Sequence, residues 1–106
     1  QLTRIVTNLV KNAIQSIPEN QEFKSVVVEI LKEDANFILK VSDNGIGISS
    51  ENQAYIFEPK FTTKNSGMGL GLAIIKKIIE NYNGSITFES EEEKGTLFTV
   101  KLPIKI

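Results

Sequence analysis

Several residue types are missing from this chain of 106 residues, and each absence removes a class of function. There is no cysteine, which excludes disulfide bonds and thiolate zinc sites. There is no histidine, so the chain has no imidazole for acid–base chemistry and cannot itself carry a phosphohistidine. The formal net charge is only −1, which gives a nucleic-acid-binding role no electrostatic support. No apolar run approaches the length of a membrane span, and no signal peptide is visible.

The hydrophobic fraction of 41% is sufficient for the core of one small domain. A first helix is predicted because apolar residues recur at helical spacing before Pro18. These residues are Leu2, Ile5, Val6, Leu9, Val10, Ala13, Ile14 and Ile17. Since the first residue already lies in this helical pattern, we expect residues 1–106 to be one domain of a longer protein, lacking a segment before Gln1.

Alternation and β-branched residues predict the strands, and turn residues separate them. We expect strands over 26–31, 37–41, 86–89 and 97–102, a short helix over 51–57 with Ser50 as N-cap, and a helix over 70–81 ended by Asn83-Gly84. The order helix, hairpin, long loop, helix, hairpin predicts an α+β fold. We expect a two-layer α/β sandwich, with a mixed, mostly antiparallel sheet covered on one face by helices.

The stretch from Ser42 to Leu72 carries most of the chemical signal. It opens with Asp43 at the end of a predicted strand and closes with alternating glycines that run into a helix. A helix that begins after such glycines offers free N–H groups and a positive dipole end to an anion. Loops as long as the segment between are often lids or binding loops. We therefore expect a carboxylate pocket and a phosphate-binding turn, joined by a mobile cover over about residues 49–66.

Two asparagines, Asn8 and Asn12, lie one turn apart in the first helix and off its apolar stripe. Such a pair is usually solvated, but asparagine is a poor helix former, so two in mid-helix indicate a purpose. An amide oxygen is a neutral ligand for a hard cation such as magnesium.

Three familiar glycine or acidic motifs fail on spacing. Gly67, Gly69 and Gly71 give G-x-G-x-G after a loop, whereas a dinucleotide-binding fingerprint needs G-x-G-x-x-G after a strand. Neither glycine cluster is followed by the G-K-S/T of a P-loop. An EF-hand beginning at Asp43 would need a glycine at Ile48 and a glutamate at Ala54. Singly, the remaining glycines and the Asp-Asn-Gly turn are ordinary turn chemistry; jointly with the paired asparagines they indicate a site.

Four segments in fixed order give the chain a specific resemblance. They are Asn8-Leu-Val-Lys-Asn12-Ala, Asp43-Asn-Gly-Ile-Gly, Ile56-Phe-Glu-Pro-Lys-Phe-Thr-Thr-Lys64 and Gly67-Met-Gly-Leu-Gly-Leu72. In this order they resemble the N, G1, F and G2 boxes of the ATP-binding catalytic domain of two-component sensor histidine kinases, nearest in style to the nitrogen-regulation type. The resemblance implies the Bergerat fold, which is shared with gyrase, MutL and heat-shock chaperone ATPases.

The resemblance also implies roles at matching positions. Asp43 would accept the adenine amino group, and Gly45 and Gly47 would let the chain pass under the base beside Ile48. Asn12 would ligate Mg²⁺, with Asn8 near the phosphates. The cover and the glycine turn would complete the ATP site with the residues Phe57, Phe61, Thr63, Lys64, Gly67, Gly69, Leu70, Gly71 and Leu72. Beyond positioning ATP, no catalytic residue is expected within this chain.

Two positions depart from common patterns. Many members carry Lys-Tyr after the second asparagine, where this chain has Gln15 and Ser16, so phosphate contact falls more on Lys64 or Lys11. In gyrase-like ATPases the position of Asn8 is a glutamate that activates water. Because an amide cannot act as a general base at neutral pH, Asn8 favours phosphoryl transfer over hydrolysis.

The resemblance implies transfer of the γ-phosphoryl group of Mg-ATP to a histidine on a separate dimerisation domain of the same full-length protein. A response-regulator receiver domain would act downstream, with no nucleic-acid partner. The domain is expected in the cytoplasm, and any membrane anchor would lie outside this chain. An anti-sigma-factor-type serine kinase, a gyrase- or MutL-like ATPase and a non-catalytic nucleotide-sensing module remain alternatives.

Overall fold

The computed structural model describes residues 2–58 and 68–104. Its elements, in chain order, are α1 (Leu2–Gln15), β1 (Val26–Glu33), β2 (Asn36–Asp43), α2 (Ser50–Gln53), α3 (Met68–Asn81), β3 (Ser85–Glu91) and β4 (Gly95–Pro103). The four strands form one sheet in the order β1-β2-β4-β3. The α+β two-layer sandwich is confirmed. All pairings among these four strands are antiparallel, so the parallel pairing of a mixed sheet is not found between them.

Several boundaries differ from those predicted. The strands are longer, and only Asp34 and Ala35 separate β1 from β2, with Asp34 at a φ of 55°. The prediction of Ser50 as N-cap of α2 is wrong: Ser49 holds that position in extended backbone without a side-chain hydrogen bond. The helix ends at Gln53, whereas the prediction extended it to residue 57. Residues 54–57 form turns instead.

Helix α3 begins at Met68, two residues earlier than predicted, so Gly69 and Gly71 lie within its first turns. Its end follows the predicted Asn83-Gly84 signal. The Gly84 N–H donates to the Ile79 carbonyl at 2.9 Å, and the Asn83 N–H donates to the Glu80 carbonyl at 2.9 Å. Asn83 takes the left-handed conformation at a φ of 65°, which completes a Schellman-type end.

The core lies between the helices and one face of the sheet. Helix α1 contributes Ile5, Leu9 and Ala13, which are at most 4% exposed. The rest of the buried cluster is supplied by the sheet, α3 and the segment after α2, with Leu39, Val41, Ile56, Leu72, Ile75, Ile79, Phe98 and Val100. One expectation for the apolar stripe is wrong: Ile14 is 58% exposed, whereas Asn12, predicted off the stripe, is buried.

Register places three polar residues at one end of the helix-covered face. Side chains alternate along a strand, so Asp43 shares the face of the buried Leu39 and Val41. Asp43 is paired directly with Thr96 on β4, and Thr96 with Ser90 on β3. The sheet therefore ends in a row of a carboxylate and two hydroxyl groups.

Strand β1 forms one edge of this sheet and carries exposed apolar side chains on both faces. Val27, Val28, Ile30 and Leu31 are between 42% and 56% exposed. Their alternation puts Val28 and Ile30 on the core face beyond the cover of α1. Among the described helices, none is long and apolar enough to cross a membrane.

Candidate nucleotide-binding site

Asp43 occupies the end of β2, where the sheet gives way to the loop Asn44–Ser49. One carboxylate oxygen accepts a hydrogen bond from the Gly45 N–H at 2.8 Å. Burial raises the pKa of Asp43 above its usual value, although hydrogen bonds from the backbone of Gly45, the side chain of Ser16 and the backbone of Thr96 oppose the shift. The Asp43 carboxylate is thus a half-buried hydrogen-bond acceptor that is oriented by hydrogen bonds from neighbouring groups.

The two glycines after Asp43 are required by close approaches within the protein. A Cβ at Gly45 would lie 2.4 Å from the Ser16 hydroxyl oxygen. Gly47 has a φ of +74°, and a Cβ there would lie 2.2 Å from the Glu91 carbonyl oxygen. The loop is therefore pressed between the end of α1 and the β3–β4 turn, and the Ile46 N–H donates to the Ser16 carbonyl at 3.0 Å.

The two asparagines of α1 have different surroundings. Asn12 is 9% exposed, and its amide nitrogen has no hydrogen-bond partner within the described part of the chain. A buried amide without a partner is costly and points to a ligand. The half-buried Asn8 donates from its amide nitrogen to the Arg4 carbonyl oxygen at 2.9 Å. Of the two, Asn12 is the one with a buried donor that no described group satisfies.

Phe57 is packed into an aromatic cluster beside α3. Its ring meets Phe88 edge-on with centroids 5.9 Å apart, and Phe88 continues to Phe98 at 6.0 Å. The Lys76 ammonium lies 5.1 Å from the Phe57 ring centroid. This packing anchors the chain just before residue 59 to the core.

The remaining predicted site residues divide into two groups. Phe61, Thr63, Lys64 and Gly67, together with the rest of residues 59–66 of the predicted cover, lie outside the described residues. Gly69, Leu70 and Gly71 belong to the first turns of α3, whose opening backbone N–H groups have no partner within a helix. The Leu72 side chain is 4% exposed in the core, which leaves only its backbone for a ligand.

Two polar residues that sequence reasoning missed join Asp43 at this end of the sheet. Thr96 is 6% exposed, and its hydroxyl lies 2.8 Å from that of Ser90. The only sequence signal was the position of Thr96 directly after Gly95, opening a strand. Gly95 itself has a φ of +120°, and a Cβ there would lie 2.0 Å from the Asp43 carbonyl oxygen, which locks the register of β2 and β4.

Together, the fold and these groups define a class: a two-layer sandwich with a half-buried carboxylate where β2 ends and a buried asparagine on α1. The profile of the family described as histidine kinase-, DNA gyrase B-, and HSP90-like ATPase matches residues 1–106. This chain belongs to that family.

Relatives among characterised proteins narrow the comparison to sensor kinases. The chain is 40% identical over 106 residues to the sensor histidine kinase ZraS of Escherichia coli (strain K12), covering 100% of this chain and 22% of ZraS. It is 39% identical over 105 residues to sporulation kinase E of Bacillus subtilis (strain 168), covering 99% of this chain and 14% of that kinase. The chain thus spans less than a quarter of either relative.

Solved structures agree with the sequence relatives. The nucleotide-free catalytic domain of histidine kinase ThkA superimposes with a TM-score of 0.80 at 36% identity, covering 97% of this chain and 69% of that one. The mycobacterial sensor histidine kinase MprB superimposes with a TM-score of 0.78 at 28% identity, covering 94% and 70%. The resemblance to histidine kinase catalytic domains is confirmed.

Proposed function

We propose that this chain binds Mg-ATP and positions its γ-phosphoryl group for transfer to a histidine on a separate domain of the same full-length protein. The observation that carries the proposal is the match to a sensor histidine kinase, at 40% identity, along the whole chain. The absence of histidine from the chain agrees with an acceptor located elsewhere.

The base-binding end of the site consists of Asp43 and the loop after it. Its carboxylate accepts hydrogen bonds only, so it selects a base edge that offers a donor, as the amino group of adenine does. Ile48 packs against the core cluster next to this carboxylate and supplies an apolar surface for the base. Gly45 and Gly47 let this loop lie directly against Ser16 and Glu91.

The phosphate end is formed by α1 and α3. Asn12 would hold Mg²⁺ through its amide oxygen. Its buried amide nitrogen, a donor that no described group satisfies, suits a phosphate oxygen. When bound, the ion would neutralise charge on the phosphates. The first backbone N–H groups of α3 suit phosphate oxygens. Lys64, Phe61, Thr63 and Gly67 are assigned to this end from their motif positions alone, and Asn8 is placed next to it.

The side chain at position 8 favours phosphoryl transfer over hydrolysis. Its amide nitrogen already donates to the Arg4 carbonyl, and an amide has no basicity with which to activate water. In the transfer, the bond from the γ-phosphorus to the ADP oxygen breaks and a bond to an imidazole nitrogen of the acceptor forms. The work of this chain is to position the nucleotide and exclude competing water.

The similarity to sensor histidine kinases also suggests the partners of this chain. The acceptor histidine belongs to a dimerisation domain, and the phosphoryl group then passes to a response-regulator receiver domain. We assign the domain to the cytoplasm, where ATP is available. The curated relatives are much longer than this chain, which leaves room for sensing and acceptor domains.

The test combines this chain with the dimerisation domain of its own full-length protein and γ-labelled ATP. We expect an acid-labile phosphoprotein on the partner, lost with Asn12→Ala and kept with Thr3→Ala, an exposed α1 control outside the motifs. Rapid ATP turnover by this chain alone would instead establish an ATPase. An acid-stable phosphoprotein would establish a serine kinase. Tight binding of ATP without phosphoryl transfer would establish a nucleotide-sensing module.

A further inference from the structure

One hydroxyl group, that of Ser90 on β3, connects three segments around the base-binding end. It accepts a hydrogen bond from the Ile48 N–H at 2.8 Å. It lies 3.0 Å from the Gly95 carbonyl oxygen and 2.8 Å from the Thr96 hydroxyl oxygen. None of the four sequence motifs includes Ser90.

The hydrogen-bonding capacity of this hydroxyl is fully used. A serine hydroxyl has one proton and two lone pairs. The proton is donated to the Gly95 carbonyl, and the two lone pairs accept from the Ile48 N–H and the Thr96 hydroxyl. Removing the oxygen leaves the half-buried Ile48 N–H without its partner, which is the costly side of a hydrogen-bond deletion.

Neighbouring hydrogen bonds join the loop to the β3–β4 turn. The Gln53 side-chain amide donates to the Ile48 carbonyl at 2.9 Å and to the Ser90 carbonyl at 3.3 Å. The Glu93 N–H donates to the Ile46 carbonyl at 2.6 Å. The Ser90 hydroxyl thus contacts the loop at Ile48 and β4 at Gly95 and Thr96. Thr96 is the residue that pairs with Asp43.

We propose that Ser90 is a positioning residue for nucleotide recognition: it holds Ile48 and Thr96 in place beside Asp43 and thereby sets the affinity for the base. The inference rests on the proposed function, since it assumes that the base lies against the loop Gly45–Ile48. Because every contact of Ser90 is at this end of the sheet, its loss acts on the base and leaves phosphate binding by α1 and α3 unchanged.

The experiment uses a matched pair of variants, Ser90→Thr and Ser90→Val. The two side chains have the same shape and both suit a strand, so any cost of the added methyl group cancels between them. They differ in the hydroxyl alone. Affinities for Mg-ATP and for Mg-tripolyphosphate, which lacks the base and ribose, are measured for both by competition. Thr87→Val removes an exposed hydroxyl from the same strand and serves as the control.

We expect the valine variant to bind Mg-ATP about fivefold more weakly than the threonine variant, the change that one ordinary hydrogen bond confers. Mg-tripolyphosphate should bind both equally, and the Ile48 amide should exchange with solvent faster in the valine variant. Equal Mg-ATP affinities, or equal losses for ATP and tripolyphosphate, would overturn the role of Ser90. Wild-type protein that binds no ATP would overturn the proposed function itself.

Discussion

Gly47 lies so close to Glu91 that a Cβ atom on residue 47 would be 2.2 Å from the Glu91 carbonyl oxygen. The φ of +74° at Gly47 excludes a side chain for a second reason, since L-residues rarely adopt it. Both constraints are internal to the apo fold. The glycine therefore serves to seat the loop on the β3–β4 turn, in addition to any approach of the loop to a ligand.

Gly47→Ala should destabilise the protein by more than about 1 kcal/mol, because the left-handed conformation alone costs about that much for a residue with a Cβ. The close contact with Glu91 adds to this cost and should displace the loop, weakening ATP binding as well. Chemical denaturation and nucleotide titration measure the two effects. Ser50→Ala, at an exposed position, is the control; an unchanged free energy of unfolding for Gly47→Ala would contradict the geometry.

ATP should bind and GTP should not, because guanine presents a carbonyl acceptor where adenine presents an amino donor. Asp43 would then face another acceptor in a half-buried position. A hydrogen bond to a charged group contributes about 1.5–3 kcal/mol, so the preference should be at least about tenfold. Calorimetric titration with both nucleotides tests this, and equal affinities would remove Asp43 from the base pocket.

Asp43→Asn should raise stability at neutral pH while weakening ATP binding. The folded-state pKa is raised above 3.8, so the stability that this group contributes is present below its unfolded pKa and is lost as pH rises through the folded value. Asparagine carries no charge, and its side-chain oxygen can keep the bond from Gly45. The stability gain over wild type should therefore shrink as pH falls through the raised folded-state pKa and be gone below the unfolded value of about 3.9.

Binding of ATP to the wild-type protein should weaken over the same acidic range, because the ionised carboxylate is a stronger acceptor for the amino group than the protonated acid. Melting temperatures and ATP affinities between pH 4 and pH 7 check both statements. A wild-type protein that is as stable as Asp43→Asn at neutral pH would show that burial of this carboxylate has no energetic cost.

Asn12→Ala should stabilise the apo protein, since it removes a buried amide nitrogen without a partner and places a better helix former in mid-helix. It should also weaken Mg-ATP binding more than binding of metal-free ATP, because magnesium demands a nearly complete octahedral ligand set. Asn8→Ala, which removes a partnered, half-buried amide, should not give the same gain in melting temperature. Equal losses with and without Mg²⁺ would argue against Asn12 as a ligand.

Lys76→Met should lower stability by about 0.5–1 kcal/mol by removing the ammonium group over the Phe57 ring. The ion pair of Lys76 with Glu80, at 4.0 Å, is mostly exposed and should add little. Urea denaturation of this variant is compared with that of Lys77→Met, which alters an exposed position on the same helix. Identical midpoints would show that the cation–π contact is not stabilising.

Local sequence patterns predicted the helices and strands because those patterns are short-range. Apolar periodicity located α1 and α3, and Asn83-Gly84 located the end of α3. The strand boundaries failed because pairing decides them: β1 and β2 extend until only Asp34 and Ala35 remain, since each added residue gains a partner on the neighbouring strand.

The sequence by itself determined the order of elements, the α+β class and the membership in a nucleotide-binding family, since motif spacing and periodicity lie along the chain. Tertiary structure alone decided that Asn12 is buried, because the loop after β2 bonds to Ser16, which directly follows α1 and lies four residues after Asn12. It also brought Asp43, Thr96 and Ser90 into one row. That row depends on the pairing of β2 with β4, two strands distant in sequence, where Gly95 lies directly against the Asp43 carbonyl oxygen. A contact between distant strands cannot be inferred from a local pattern.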